Sequence, residues 1–152
     1  MNTPPLDHVC VIFALKRERR AFHRHFPIRQ RFTGGPCWSA LCGPAQPVLV
    51  IETGVGAGRM QSALDWLFAS HRPSLVISAG YAGALHDDLH VGDTMLASHV
   101  IDASGGSWSV PWPSETAQRC RLLTMPHFIA TPEEKRALAR SEERRVGKEC
   151  RL

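Results

Sequence analysis

The feature that most constrains the fold is a strand, a helix and a second strand in succession near the middle of the chain. Val48–Glu52 and Leu75–Ala79 are short apolar runs that predict buried strands. Between them a glycine-rich turn at Thr53–Gly58 leads into Arg59–Ser70, whose apolar residues recur at helical spacing until Pro73 ends the helix. Two strands joined by a crossover helix must run parallel, and continuous apolar strands indicate a sheet that is covered on both faces.

The flanking segments predict further strands and helices. A capping box at Thr131–Glu134, with proline at the first helical position, predicts the start of a helix. The other predicted elements are a strand at His8–Ala14, a helix at Leu15–Phe26, a short strand at Cys37–Leu41, strands at Thr94–Ile101, Leu122–Thr124 and Phe128–Ala130, an irregular loop at Ala103–Glu115 and a helix at Pro132–Arg140. Alternating strands and helices of this kind predict an α/β fold.

Composition and charge exclude several classes of protein. The chain has 152 residues, 43% of them hydrophobic and 21% charged, which is enough apolar material for a folded core. No apolar run approaches the roughly 20 residues of a membrane-spanning helix, and the first residues lack the pattern of a secretory signal. We therefore expect a cytoplasmic protein with no membrane association. The net charge is +4, and the basic residues cluster in Lys16–Arg31 and in residues 140–152 rather than forming one continuous basic face, so we expect no nucleic-acid partner.

Neither a disulfide framework nor a metal site is indicated by the sequence. The five cysteines are an odd number without a Cys-x-x-Cys pair. The side chains that could bind a metal crowd into one turn-like segment, where no helical or strand spacing makes them converge. They are His86, Asp87, Asp88, His90 and Asp93. We predict no metal and no cofactor.

Two turns and one carboxylate are the candidate functional features. Gly54–Gly58 joins a strand to a helix, and Ala79–Ala84 follows the second parallel strand at its carboxyl end, where ligands collect in open α/β sheets. Small residues there bring the backbone close to a ligand, and Tyr81 offers a ring that stacks on the ligand or covers it. Turn geometry without a ligand also explains both segments, and Glu18, which lies within a charged helix, is better explained by these residues alone as a surface carboxylate.

Three segments share the motif order of a known family. They are VIFALKRE at Val11–Glu18, ETGVGAGRMQSAL at Glu52–Leu64 and PSLVISAGYAGALHDDLHVGDTMLASHVID at Pro73–Asp102. Together they resemble the purine/uridine nucleoside phosphorylase superfamily, and within it the methylthioadenosine/S-adenosylhomocysteine nucleosidase-like members. TPEEKRALA at Thr131–Ala139 is similar to a later helix of that family. The resemblance implies a three-layer α/β/α sandwich around a mixed, largely parallel sheet.

The resemblance also implies cleavage of the N-glycosidic bond of a purine nucleoside. Glu18 matches the carboxylate that orients and deprotonates the attacking water. Val55 matches a residue lining the pocket for the ribose 5′ substituent, and Ala79, Gly80 and Tyr81 match the strand-end segment along the base and ribose. Tyr81 replaces the small hydroxyl residue of well-known nucleosidases. The resemblance implies a homodimer and no cofactor.

The nucleophile is water in the family's nucleosidases and phosphate in its phosphorylases. Those phosphorylases carry Gly-Asp-Pro-x-Arg after the first strand and an arginine on the strand before the Gly-x-Ala-Gly turn. This chain has Ala14-Leu15-Lys16 and Leu75–Ser78 at these places, without an arginine. Because phosphate needs positioned guanidinium groups, we predict hydrolysis. The alternatives are a phosphate-dependent phosphorylase of the hopanoid-associated type and a non-catalytic nucleoside-binding module.

The resemblance weakens towards the last residues. In the family a Met-Glu segment, which holds the ribose hydroxyls, and a Ser-Asp segment, which protonates the purine, follow the helix that begins here at Thr131; neither follows it here. The run SEERRVGKECRL is similar to foreign runs at broken ends of reading frames. We predict that residues 1–140 are the N-terminal part of a nucleosidase domain, incomplete at the C-terminus, and that 141–152 are a non-native or disordered tail. General acid catalysis is typically worth 10²–10⁴-fold, so we expect the chain to be weakly active or inactive.

Overall fold

The chain divides into two compact units, Met1–Ala82 and Gly83–Leu152. The computed structural model describes residues 9–43, 47–111 and 118–145, and within these ranges no helix is long and apolar enough to cross a bilayer. The elements of the first unit are β1 (Val9–Phe13), α1 (Lys16–Phe22), β2 (Ile28–Phe32), β3 (Trp38–Cys42), β4 (Val48–Glu52), α2 (Ala57–Ser70) and β5 (Leu75–Ala79). Those of the second are β6 (Leu96–Asp102), β7 (Ser107–Ser109), β8 (Arg119–Thr124) and α3 (Pro132–Arg145).

The described strands of the first unit form one mixed sheet in the order β2-β3-β4-β1-β5. β1 pairs in parallel with β4 on one side and with β5 on the other, while β2 and β3 are antiparallel. The predicted parallel course of β4 and β5 is confirmed, with β1 lying between them. The predicted burial of β5 is wrong, because β5 is an edge strand of the described sheet and none of its residues is fully buried. Phe13 stands opposite both Glu52 and Ala79 in the register. The carboxyl ends of the three parallel strands therefore lie side by side at one edge of the sheet.

Helices cover the two faces of this sheet. On one face α2 contributes Ala63 and Leu67, both fully buried, and on the other Phe22 of α1 packs beside the strands. Successive strand residues alternate between the two faces because side chains along a strand point to opposite sides. One cluster contains Cys10, Ile12, Leu41, Leu49 and Ile51, and the other contains Val11, Phe13, Ala40, Cys42 and Val50. The predicted three-layer α/β/α arrangement is thus present in the first unit.

Three boundaries in the first unit differ from the sequence prediction. α1 ends at Phe22 rather than at Phe26, because the chain tightens into a turn in which the Phe22 and Phe26 rings stack with centroids 4.4 Å apart. α2 begins at Ala57, ahead of the predicted Arg59. β2 was not predicted; its sequence, IRQRF, is largely exposed on an edge strand and lacks the apolar run that marks a buried strand.

In the second unit the described strands form a sheet in the order β7-β6-β8. β7 lies inside Ala103–Glu115, which was predicted to be an irregular loop, and part of that segment falls outside the described residues. Phe128–Ala130, predicted to be a strand, has no regular structure. The capping box is confirmed: Thr131 N–H donates to Glu134 Oε2 at 3.1 Å, and Glu134 N–H donates to Thr131 Oγ1 at 3.2 Å. α3 continues to Arg145, past the predicted domain boundary at 140, and residues 146–152 lie outside the described part.

Candidate active site

The candidate site lies in the first unit, where three segments leave the carboxyl ends of β4, β1 and β5. Because Glu52, Phe13 and Ala79 are aligned in the register, the segments that follow them start from the same edge of the sheet. This is the edge where open parallel sheets bind ligands. Thr53 N–H donates to the Phe13 carbonyl at 3.0 Å and continues the pairing of β4 with β1 one step beyond the strand.

Glu18 is held at this edge by two backbone amides. Its Oε2 accepts the N–H of Leu15 at 2.8 Å, and its Oε1 accepts the N–H of Tyr81 at 3.1 Å. The first contact lies within the turn that opens α1, and the second crosses to the segment after β5. Glu18 is half-buried, so it is not the free surface carboxylate of the alternative interpretation. The structure therefore brings together Glu18, Gly80 and Tyr81 as the sequence predicted, while their roles stay predictions.

Gly80 has no side chain, and the Glu18 carboxylate occupies the space where one would begin. A Cβ atom at position 80 would lie 2.9 Å from Oε1 and 3.2 Å from Cδ of Glu18, closer than a side chain tolerates. Gly80 is not among the glycines with positive φ. The need for glycine here is therefore steric and comes from the carboxylate rather than from the backbone conformation.

Tyr81 contributes its backbone amide as well as its ring. The side chain is 69% exposed, and the guanidinium of Arg17 lies 5.9 Å from the ring centroid, within the range of a cation–π contact. The predicted stacking of this ring on a ligand stays a prediction. The amide that anchors Glu18 could not be anticipated from the residue type, since every residue except proline offers one.

Val55 and Ala79 complete the predicted set. Val55 is 68% exposed in the turn between β4 and α2, where Gly54 and Gly56 have φ of 81° and 111°. These positive φ values explain the two glycines as turn residues, because other residues adopt this conformation at a cost. Ala79 ends β5, is half-buried and packs against the core on the face that α1 covers. Both therefore lie at the site's edge of the sheet.

A buried ion pair next to Glu18 was not identified as functional from the sequence. Arg19, 7% exposed, donates from Nε to Oε2 of Glu52 at 2.7 Å. Its guanidinium lies 3.5 Å from the ring centroid of Trp38, and its Nη1 is 2.6 Å from Nε2 of His23. One signal for this pair is present in the sequence, because Arg19 lies on the same helix face as Phe22. A charge on an inward face requires a buried partner.

The described part of the chain offers neither a cysteine thiolate at neutral pH nor a cluster of metal-binding side chains. Burial raises the pKa of Cys10 to about 12, with a further increase from Cys37, and burial also raises the pKa of Cys42. These groups are therefore neutral thiols near neutral pH. Across residues 9–43, 47–111 and 118–145 no cluster of three or more histidine, cysteine or acidic side chains could hold a metal ion.

Comparison with known proteins places this geometry in a family. A sequence model of the phosphorylase superfamily matches residues 8–148. No curated protein sequence matches the chain. The solved structure of 5′-methylthioadenosine/S-adenosylhomocysteine nucleosidase from Neisseria meningitidis, in complex with methylthio-immucillin-A, is 20% identical with a TM-score of 0.65, and the match covers 90% of this chain and 71% of that one.

Two further solved structures are similar in fold. A futalosine hydrolase mutant of Helicobacter pylori has a TM-score of 0.74 at 12% identity, over 93% of this chain and 78% of that one. The 5′-methylthioadenosine/S-adenosylhomocysteine nucleosidase of S. pneumoniae, with a transition-state inhibitor, has a TM-score of 0.70 at 16% identity, over 90% and 72% of the two chains. These likenesses confirm the predicted α/β fold class.

Proposed function

Because the chain belongs to the phosphorylase superfamily, we propose that it cleaves the N-glycosidic bond of a purine nucleoside with a water molecule activated by Glu18. The structurally similar proteins include two 5′-methylthioadenosine/S-adenosylhomocysteine nucleosidases and a futalosine hydrolase. The observation that carries the proposal is the position of the Glu18 carboxylate between the amides of Leu15 and Tyr81.

The two amides leave Glu18 able to act as a base. A carboxylate has about four lone-pair positions, and each oxygen of Glu18 uses one of them to accept an N–H. The remaining positions can accept a hydrogen from water while the carboxylate stays fixed. As the water oxygen bonds to C1′ of the ribose, its proton passes to Glu18. The C1′–N bond breaks, its electron pair goes to the purine, and the purine takes up a proton from the solvent, to which Glu18 later returns its own.

Water is the proposed nucleophile because the guanidinium beside Glu18 is already engaged. Phosphate carries about two negative charges near neutral pH and is bound in proteins mainly by arginine and backbone amides. Arg19 follows Glu18 directly, but Glu52, His23 and the Trp38 ring already hold its guanidinium. Arg17 stands over the Tyr81 ring. This arrangement favours water over phosphate.

The proposal is tested by adenine release from methylthioadenosine with the full chain, in the presence and absence of phosphate. Glu18→Gln keeps the side chain's shape and removes its basicity, so we expect the rate to fall by roughly 10²–10⁴-fold. Glu133→Gln is the matched control, because Glu133 is an exposed carboxylate of α3 paired only loosely with Arg136 at 3.7 Å. An unchanged rate in Glu18→Gln would contradict the assigned role.

The same assay separates the alternatives. A strict dependence on phosphate would show a phosphorylase and would refute water as the nucleophile. Saturable binding of methylthioadenosine in calorimetric titration, without adenine release, would show a nucleoside-binding module. Absence of both heat and turnover would show that this chain alone does not form a working site.

A further inference from the structure

The buried ion pair beside Glu18 takes no part in the proposed chemistry, yet it lies next to it on the same short helix. Arg19 follows Glu18 in sequence and reaches Glu52, the last residue of β4. Burying an arginine destabilises a protein unless its charge is paired. The 7% exposed position of Arg19 therefore calls for an explanation. Its consequences for Glu18 supply one.

Three contacts fix the Arg19 guanidinium. Besides the 2.7 Å bond to Glu52, it lies over the Trp38 ring, 3.5 Å from the ring centroid, and donates from Nη1 to Nε2 of His23 at 2.6 Å. Since a guanidinium can only donate, Nε2 of His23 is the acceptor and the ring proton is on Nδ1, which faces the Phe26 carbonyl at 3.3 Å. Burial lowers the pKa of His23, in keeping with a neutral ring.

Glu18 and Arg19 attach the first turns of α1 to strands on opposite sides of β1. Glu18 accepts the amide of Tyr81, which follows β5, and Arg19 binds the side chain of Glu52, which ends β4. β1 separates β4 from β5 in the sheet. α1 has seven residues, and isolated helices of fewer than about 12 are marginal in water. Contacts with the strand ends therefore determine where the helix lies.

We propose that Arg19 is a positioning residue for Glu18: its ion pair with Glu52 fixes the start of α1, so that the Glu18 carboxylate stays between the amides of Leu15 and Tyr81. Its catalytic consequence depends on the proposed function, but the positioning itself does not. A purely stabilising role for the ion pair is the competing explanation, and it predicts no specific effect on Glu18.

Nuclear magnetic resonance of the full chain separates the two explanations. The amide proton of Tyr81 donates to Glu18, so its resonance reports that hydrogen bond directly. Glu18→Gln serves as the reference, because its Tyr81 resonance shows the chemical shift of this amide without a charged acceptor. We expect Arg19→Met, which keeps the packing of the aliphatic stem, to move the Tyr81 resonance most of the way to that position. Arg20→Met is the matched control, because Arg20 is the exposed next residue of the same helix.

A double variant distinguishes positioning from loss of stability. Arg19→Met alone leaves Glu52 half-buried and unpaired, which can destabilise the fold. Arg19→Met with Glu52→Gln removes both charges, so we expect thermal stability to recover while the Tyr81 resonance stays displaced. A wild-type Tyr81 resonance in the folded double variant, or in folded Arg19→Met, would overturn the proposal.

Kinetics supply the readout on catalysis. Where adenine release is measurable, Arg19→Met is expected to lower kcat on the order of 10²-fold with little change in KM, since the substrate-contacting groups are kept and the base is misplaced. The resonance measurement requires no turnover. A displaced Tyr81 resonance together with an unchanged rate in Glu18→Gln would therefore refute the proposed function and leave the positioning of Glu18 intact.

Discussion

Gly80→Ala should separate the stability of the fold from the position of the Glu18 carboxylate. The added Cβ would lie 2.9 Å from Oε1 of Glu18, whereas ordinary contact begins at 3.4 Å, so the carboxylate must retreat by at least 3.4 − 2.9 = 0.5 Å. Catalytic groups must be held within about 0.5 Å of their productive position, and a displacement of ~1 Å can cost 10²-fold in rate. We expect kcat to fall by roughly 10–10²-fold.

The fold itself should tolerate this change. The group that gives way is the end of a flexible side chain, and the Tyr81 amide that loses its partner is exposed to water. Gly80 is not among the glycines with positive φ, so alanine fits the backbone conformation there. Alanine lowers the conformational entropy of the unfolded chain, and the resulting stabilisation of about 0.4–1 kcal/mol offsets the lost hydrogen bond. Gly58→Ala is the control for stability, because it adds the same methyl group to a helical position with nothing within 4 Å.

Adenine release and thermal denaturation of the two variants test the argument together. We expect Gly80→Ala to unfold within about 1 kcal/mol of the wild type and Gly58→Ala to be slightly more stable. The Tyr81 amide resonance gives the same information where turnover is too slow to measure. A folded Gly80→Ala protein with the wild-type rate and an unmoved Tyr81 resonance would refute the steric argument.

Two further predictions concern the fold of the first unit. Leu67 is fully buried between α2 and the sheet, so Leu67→Ala should lower the free energy of unfolding by roughly 2–5 kcal/mol in denaturant titration. A free energy of unfolding equal to that of the wild type would contradict this, because it would mean that the surrounding residues fill the cavity. Burial, with the charges of Arg19 and Arg31, lowers the pKa of His23 below its usual 6.5. The unfolded chain then binds the proton more readily, so stability should fall as the pH drops from 6.5 towards that lowered pKa, and His23→Gln should flatten this part of the pH profile.

The parts of the fold that were predictable from the sequence are those that packing on both faces determines. β1 and β4 are runs of apolar residues and are buried, as such runs predict for strands inside a parallel sheet. The apolar run of β5 correctly predicted a strand but not its burial, because β5 is an edge strand of the described sheet. The edge strand β2 was missed because its exposed residues, IRQRF, carry no such pattern; its pairing with β3 provides its regular structure. The short β7 was missed for a similar reason, since all its residues are exposed.

The candidate site was predictable in its location but not in its connections. Glu18, Gly80 and Tyr81 were selected by their places after parallel strands and by a family resemblance. That the amide of Tyr81 holds Glu18, and that Gly80 makes room for it, depends on the register that aligns Phe13 with Ala79. An alternating apolar and polar pattern would indicate the register, but β1 and β5 are nearly continuous apolar runs, so their alignment is seen only in the folded sheet.

The position of α1 links the stability of the sheet to the proposed chemistry. A seven-residue helix is marginally stable by itself, so its position depends on contacts with the sheet. Glu18 accepts a backbone amide after β5, and Arg19 anchors the same helix to β4. A displacement of the end of β4 or of β5 is therefore expected to move α1 and, with it, the Glu18 carboxylate. It follows that substitutions at Glu52, which has no assigned chemical step, should alter the geometry of Glu18 more than comparable substitutions at β2, whose residues lie at the far edge of the sheet.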